Sequence, residues 1–155
     1  MDGTALLFSF QGRINRGRYW LAILIYFAIW TTFVAVSVAW LGGLDLDNLL
    51  SIAGAGLMLW LIAFILFIAV TWSSVAVGVK RLHDRDKSGW WILLFWLGPS
   101  ALISSQTTAP NMGGGFILWL AAGAIAIWGF VELGCLRGTP GPNRYGPDPL
   151  GYPPR

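Results

Sequence analysis

Long uncharged stretches are the feature that most constrains the fold of this chain. The first, residues 19–41, has no charged side chain over 23 positions. As an α-helix it would be about 34 Å long, enough to cross a hydrocarbon layer of about 30 Å with modest tilt. Three further apolar blocks follow at residues 57–79, 90–105 and 115–136. We therefore predict an all-α integral membrane bundle of four transmembrane helices, forming a single domain over residues 1–155.

Composition excludes several other classes of protein. Hydrophobic residues make up 56% of the chain and charged residues only 11%, whereas soluble domains carry about 25% charged residues. An ordinary soluble enzyme, a disordered chain and a disulfide scaffold are therefore excluded. The single cysteine, Cys135, can form neither an intramolecular disulfide nor a cysteine-based metal site.

Two apolar blocks contain residues that disfavour helices. The stretch from Leu49 to Val79 is too long for one perpendicular span, and Gly54 and Gly56 offer a break. We predict that Leu49–Ala55 is a short interfacial or re-entrant piece. Pro99 lies in the middle of the third block and predicts a kink or an early helix end there.

The basic residues predict the orientation in the membrane. All ten Lys and Arg residues fall in segments 1–18, 80–89 and 137–155, which four spans would place on one side. The positive-inside rule then puts both termini in the cytoplasm, and a bacterial plasma (inner) membrane fits best. This placement and anionic headgroups account for the net charge of +3 without a nucleic-acid partner.

Polar residues interrupt the apolar pattern in the first two of these segments. The N-terminal segment could be an interfacial lead-in with Phe8, Phe10 and Ile14 in the bilayer, or part of a specific polar cluster. In the central loop, His83 precedes Asp84, but the chain has one histidine in total, which argues against a catalytic metal site. We expect local hydrogen bonds to satisfy His83, with a pH-sensitive contact as the alternative. Residues 86–89 have the composition of a turn, in which Gly89 is able to take a positive φ.

The C-terminal part of the chain carries two further features. Its dense Pro and Gly residues exclude a helix over 137–155, and we predict a turn-rich strap that folds back under the helices. Glu132 lies about one turn inside the fourth block, where a charge is costly. We expect it to pair with Arg137 or another cytoplasmic Arg; a lipid or proton site is the alternative.

Three segments resemble the signature stretches of domain-of-unknown-function family 805, which comprises small bacterial inner-membrane proteins. They are residues 10–20, 79–91 and 141–149. One departure is Asp86, which stands where relatives commonly carry a small residue, often Gly. The resemblance implies a multi-span inner-membrane protein with a cytoplasmic motif face and no established biochemical role.

We hypothesise that these segments assemble into one cytoplasmic plate that closes the helix bundle. In it Asp84 would accept from an Arg of another segment, and Asn143 would bridge backbone groups. The candidate residues, besides the membrane-embedded Glu132, are Arg13, Asn15, Arg16, Tyr19, Arg81, His83, Asp84, Gly89, Asn143, Arg144 and Tyr145.

Two function classes remain. The chain shows no nucleophile–base pair, metal cluster or phosphate-cradling loop, so we predict no catalytic residue and no cofactor. We favour a non-catalytic accessory or structural subunit, or a scaffold, that packs in a larger membrane complex or associates with itself. The alternative is a protein that binds or handles anionic lipid through clustered Arg residues at headgroup depth. A membrane enzyme that uses His83 and Asp84 on a phosphate stays open.

Overall fold

Helices account for nearly all regular structure in the computed structural model, which describes residues 3–43, 48–108 and 115–151. Within these ranges there is no strand, only an isolated bridge between Asn143 and Gly146, and the all-α prediction is confirmed. The helices are α1 (Gly3–Phe8), α2 (Arg16–Gly42), α3 (Leu49–Asp84), α4 (Trp91–Thr108) and α5 (Gly115–Phe130), which continues as a π-helical turn (Val131–Cys135).

Three stretches are long and apolar enough to cross a membrane: α2, α3, and α5 together with its π-helical turn. The apolar part of α4, Trp91–Ser105, is shorter. Large apolar side chains cover the outside of these helices; Trp60 of α3, for example, is 77% exposed. An apolar surface of this extent is typical of membrane contact and not of a soluble monomer.

The long helix α3 overturns the break predicted at Gly54 and Gly56. Asn48 caps the helix, because its Oδ1 accepts from the backbone N–H groups of Leu50 (3.1 Å) and Ser51 (3.2 Å). The helix then runs unbroken for 36 residues, so the predicted break that would separate a piece Leu49–Ala55 from the span is wrong. A glycine costs a helix only about 1 kcal/mol, which the apolar run tolerates. At about 54 Å α3 exceeds the hydrocarbon layer, and the charged residues from Lys80 onward lie beyond its apolar part.

Helix α4 continues through Pro99 to Thr108, so the early helix end is wrong. Proline removes one backbone donor, but the rest of α4 packs along α5. Next to the proline, the Ser100 hydroxyl donates to the Leu97 carbonyl at 3.0 Å. Neighbouring helices and Ser hydroxyls of this kind let membrane helices accommodate proline.

Two helical hairpins, α2–α3 and α4–α5, meet at the end where α2 begins and α3 ends. Ile14, Ala22, Tyr26 and Val77 form one buried cluster there, and Leu82, Ile92, Phe95 and Leu133 form a second. Ile14 is fully buried, which contradicts the interpretation of the N-terminal segment that placed this side chain in the bilayer. This end of the bundle brings the three polar segments together.

Candidate functional site

The carboxylate of Asp84, in the last turn of α3, lies at the centre of a charged cluster. Asp84 is only 3% exposed. Its Oδ1 accepts from Arg13 Nε at 3.2 Å and its Oδ2 from an Arg81 terminal nitrogen at 2.5 Å. Burial raises the pKa of the Asp84 carboxyl, and the two guanidiniums oppose that shift. These ion pairs tie the N-terminal segment to α3.

Arg13 extends the cluster to the strap, residues 137–151. Its buried guanidinium donates to the carbonyls of Thr139 (2.6 Å), Gly141 (2.7 Å) and Gly146 (3.3 Å). Gly141 and Gly146 have φ values of 75° and 135°, which glycine adopts without strain. One side chain therefore joins the N-terminal segment, α3 and the strap.

Side chains also cap the C-terminal end of the π-helical turn. A helix leaves its last carbonyls without intrahelical partners, and cations are favoured beside them. Here the carbonyls of residues 133–137 each receive a side-chain donor. Arg81, which is fully buried, donates to Leu133 (2.8 Å) and Leu136, Trp20 to Gly134 (3.1 Å), Arg16 to Cys135 (2.9 Å) and Arg85 to Arg137 (2.6 Å).

The strap is further held by its own hydrogen bonds to α3. The Thr139 amide donates to the Asp84 carbonyl at 2.8 Å. Asn143 bridges two backbone groups: its Nδ2 donates to the His83 carbonyl, and its Oδ1 accepts from the Tyr145 amide, both at 2.9 Å. The backbone N–H groups of Leu150 and Gly141 lower the pKa of the Asp148 carboxyl, which accepts from both.

At two glycines, Gly138 and Gly89, the absence of a Cβ lets a neighbouring side chain pack closely against the backbone. A Cβ on Gly138 would lie 2.0 Å from Asp84 Oδ2, so this position has no room for a side chain. A Cβ on Gly89 would lie 2.8 Å from Val79 Cγ1. Gly89 does not use the positive φ that a glycine could take in this turn; Asp86 has a positive φ, at 56°.

Asp86 also forms an ion pair, at 3.1 Å with Arg144 Nε, and both side chains are well exposed. An Arg144 terminal nitrogen donates to the Asp86 carbonyl at 2.6 Å. Arg144 therefore lies on the outside of the cluster and not within it.

His83 stacks face to face on Tyr145, with ring centroids 3.8 Å apart and an interplanar angle of 5°. Its Nδ1 is buried without a hydrogen-bond partner among the described residues, so local hydrogen bonds satisfy the imidazole only in part. Burial lowers the pKa of His83; the Gly12 carbonyl opposes this shift and the Arg144 charge adds to it.

Glu132, in the π-helical turn, pairs with two cations of the central loop. Its oxygens lie 2.9 Å from Arg85 Nε and 3.2 Å from Lys87 Nζ. Lys87 also lies 5.7 Å from the ring centroids of both Trp91 and Trp128. The geometry favours structural pairing for Glu132, and Arg85 is the cytoplasmic-segment arginine that supplies it, rather than Arg137.

Sequence reasoning missed the residues that dock α1. Lys80 is fully buried and donates to the carbonyls of Ala5 (2.8 Å) and Leu6. Ser73 Oγ donates to the Leu7 carbonyl at 2.8 Å and lies 2.7 Å from the Tyr26 hydroxyl. Burial lowers the pKa of Lys80 to about 8. No sequence signal distinguished Lys80 from the other basic residues at the end of a span.

Two candidates have local roles. Asn15 caps α2, since its Oδ1 accepts from the Arg18 amide at 2.9 Å. Tyr19 packs against both buried clusters.

Over the described ranges, no three His, Cys, Asp or Glu residues are grouped so that they could hold a metal ion. The arrangement as a whole fastens three segments of the chain to one another.

Comparison with known proteins identifies the family of this chain. The family model described as "Protein of unknown function (DUF805)" matches residues 7–147. The chain belongs to this family.

Three curated relatives come from Escherichia coli (strain K12). The uncharacterized protein YiiR is 32% identical, over 92% of this chain and 86% of its own. The inner membrane protein YhaH is 34% identical, over 91% and 87%, and the inner membrane protein YhaI is 31% identical, over 91% and 86%. No solved structure matches the chain.

Proposed function

We propose that this protein is a four-span inner-membrane protein with both termini in the cytoplasm that serves as a non-catalytic accessory or structural subunit of a membrane complex. One observation carries the proposal. The side chains of Arg13, Arg81 and Asp84 are buried, and their polar atoms form hydrogen bonds with one another and with backbone carbonyls. A cluster bonded in this way stabilises the fold and leaves few polar atoms free to bind a substrate.

The topology follows from where the basic residues lie. The end of the bundle that holds Arg13, Arg81, Lys87 and Arg144 gathers the N-terminal segment, the central loop and the strap. The positive-inside rule assigns such an end to the cytoplasm, and the names of YhaH and YhaI support the inner membrane. Arg155, one of the ten basic residues on which the predicted orientation depends, lies outside the described residues.

The outer faces of the helices provide the surface for partners. Within the most apolar window of α3 only 6% of residues are buried inside the protein. Trp60, Phe64 and Phe67 are exposed there. Large aromatic side chains of this kind are enriched in the centres of interfaces, so this face suits a partner helix or a second copy of the chain.

Photo-crosslinking in native membranes tests this proposal. A benzophenone amino acid at Phe64, on the exposed face of α3, is compared with the same probe at Phe116, which is also exposed but lies on α5. We expect a discrete protein adduct, identified by mass spectrometry, from at least one of these two positions. Adducts with lipid alone at both positions would contradict the accessory role.

A second candidate is binding of anionic lipid headgroups. It rests on Arg16 and Arg137, which are exposed beside the capped end of the π-helical turn. Arg13 and Arg81 are buried and cannot serve. The double variant Arg16→Gln/Arg137→Gln should lose co-purifying anionic lipid if this function holds, and Arg144→Gln is the control. Equal content of anionic lipid in the wild type, the double variant and Arg144→Gln would exclude this lipid-binding function.

A further inference from the structure

An exposed tryptophan and a cavity lie side by side where α4 begins. The cavity has a volume of about 390 Å³ and lies between the end of α3 and the start of α4, with Val75, Val79 and Leu93 among its apolar lining. Trp90 also lines it, yet this residue is 78% exposed. The cavity therefore opens outward, and most of the indole ring lies outside the packing of its own chain.

The tryptophan and the cavity suit each other in size and chemistry. A volume of this magnitude falls within the range of sites that hold small molecules, so the cavity has room for one indole ring. Trp side chains are enriched among the residues that dominate binding, and such residues fill well-packed pockets on a partner. Helices in membranes associate through close packing of this kind, because lipid tails are as apolar as the side chains.

Symmetry allows each copy of the chain to supply the ring for the other. A two-fold dimer uses the same patch on both subunits, so the patch must complement itself. Two copies inserted in the same orientation are related by an axis along the membrane normal, and every residue then keeps its depth. Trp90 lines the cavity and so lies at its depth, which places the ring of one copy level with the cavity of the other.

The charges beside the cavity also complement themselves. Asp86 and Arg144 form an exposed ion pair at 3.1 Å. Asp86 lies two positions before Ser88 and Arg144 one position before Tyr145, and both Ser88 and Tyr145 line the cavity. Across a two-fold axis the positive charge of one copy can lie opposite the negative charge of the other, which fixes the register of an interface. These charges favour a second copy over a lipid tail as the occupant.

We propose that this face binds a second copy of the chain, with Trp90 of each copy in the cavity of the other and Asp86 of each copy opposite the partner's Arg144. The proposal does not rest on the accessory role, which uses the outer face of α3 around Phe64. Its tests use purified protein, so their failure leaves the accessory role untouched.

Energy transfer between copies in lipid vesicles measures the dimer. Full-length protein is labelled with donor or acceptor at Cys135, which is exposed, and lipid is added to dilute it. We expect saturable transfer in the wild type. Trp90→Ala removes the ring and Leu93→Trp fills the cavity from a residue that is already exposed; each should weaken the dimer at least about tenfold. Leu120→Trp, the same change at an exposed residue of α5, should leave it unchanged.

Charge reversal tests how the two copies face each other. Arg144→Glu and Asp86→Lys each place like charges opposite one another in their own dimer and should weaken it at least about fivefold. A mixture of donor-labelled Arg144→Glu and acceptor-labelled Asp86→Lys restores opposite charges at both contacts. Energy transfer should return in this mixture, which also shows that both variants fold.

Cross-linking locates the ring. A benzophenone amino acid in place of Trp90, in a mixture of unlabelled and ¹⁵N-labelled copies, should give mixed-isotope peptides that join position 90 to residues 75–93 of the other copy. Mixed-isotope peptides from another part of the chain, or adducts with lipid alone, would overturn the proposal. So would the absence of saturable transfer in the wild type, a dimer that survives both Trp90→Ala and Leu93→Trp, or a charge-reversed mixture that transfers no better than either variant.

Discussion

Asp84 and Asp86 differ sharply in their surroundings although one residue separates them. Asp84 is buried between two guanidiniums, whereas Asp86 pairs with Arg144 in solvent. Asp84→Asn leaves two buried cations without a counter-charge and should lower the free energy of unfolding by about 3–5 kcal/mol. Asp86→Asn keeps a residue that tolerates positive φ and should cost less than about 1 kcal/mol. Unfolding in mixed micelles measures both; equal effects would contradict the assignment of Asp84 to the core of the cluster.

The lowered pKa of His83 predicts that the stability of the protein depends on pH. Its folded-state pKa lies below the ordinary value of 6.5 because of burial and the Arg144 charge. The unfolded chain therefore binds the proton more readily, and the stability that His83 contributes is present above about pH 6.5 and lost as the pH falls through the folded pKa. We expect the melting temperature to fall over that window and the effect to vanish in His83→Gln. A melting temperature that rises on acidification in the wild type would contradict this.

At the scale of elements, the continuity of α3 makes a prediction about its glycines. A Cβ on Gly54 or Gly56 would meet nothing within 4 Å, and neither has a positive φ. Gly54→Ala and Gly56→Ala should each stabilise the protein by up to about 1 kcal/mol. Gly78→Ala is the contrast, because its Cβ would lie 2.6 Å from Ile92 Cδ1, and it should destabilise. Loss of stability in Gly54→Ala and Gly56→Ala would contradict a continuous helix and favour a break at these glycines.

The apolar helices could be predicted from sequence because a long uncharged run leaves few alternatives to a membrane helix. The break at Gly54 and the early end at Pro99 were mispredicted, since local propensity is weaker than the packing of a continuous apolar helix. The resemblance of the three segments pointed to Arg13, Asp84 and Asn143 as neighbours.

Other parts of the site depend on contacts between distant residues. Lys80 donates a hydrogen bond to the carbonyl of Ala5, 75 positions away in the sequence. Neither residue type indicates from sequence that the other is its partner. Gly138 looks like any glycine of a Pro/Gly-rich tail until Asp84 is placed beside it. Close approaches of this kind follow from the assembled fold and leave no local pattern.

At the scale of the whole molecule, two hairpins are joined by charged contacts at one end, which we propose faces the cytoplasm. Cysteine labelling tests that assignment in a Cys135→Ser background. A cysteine at exposed Pro142 in the strap should react with an impermeant maleimide only in inverted vesicles, and one at exposed Gly43, after α2, only in spheroplasts. The opposite pattern would reverse the topology.

The central claim is that buried charges lock the N-terminal segment, α3 and the strap into one unit. Hydrogen exchange of the strap amides in nanodiscs tests it most directly. We predict slow exchange at Thr139, Asn143 and Gly146, whose amides donate to backbone carbonyls, and fast exchange at these positions in Asp84→Asn but not in Asp86→Asn. Exchange in the wild type as fast as in an unfolded peptide, or a strap unaffected by Asp84→Asn, would contradict the claim.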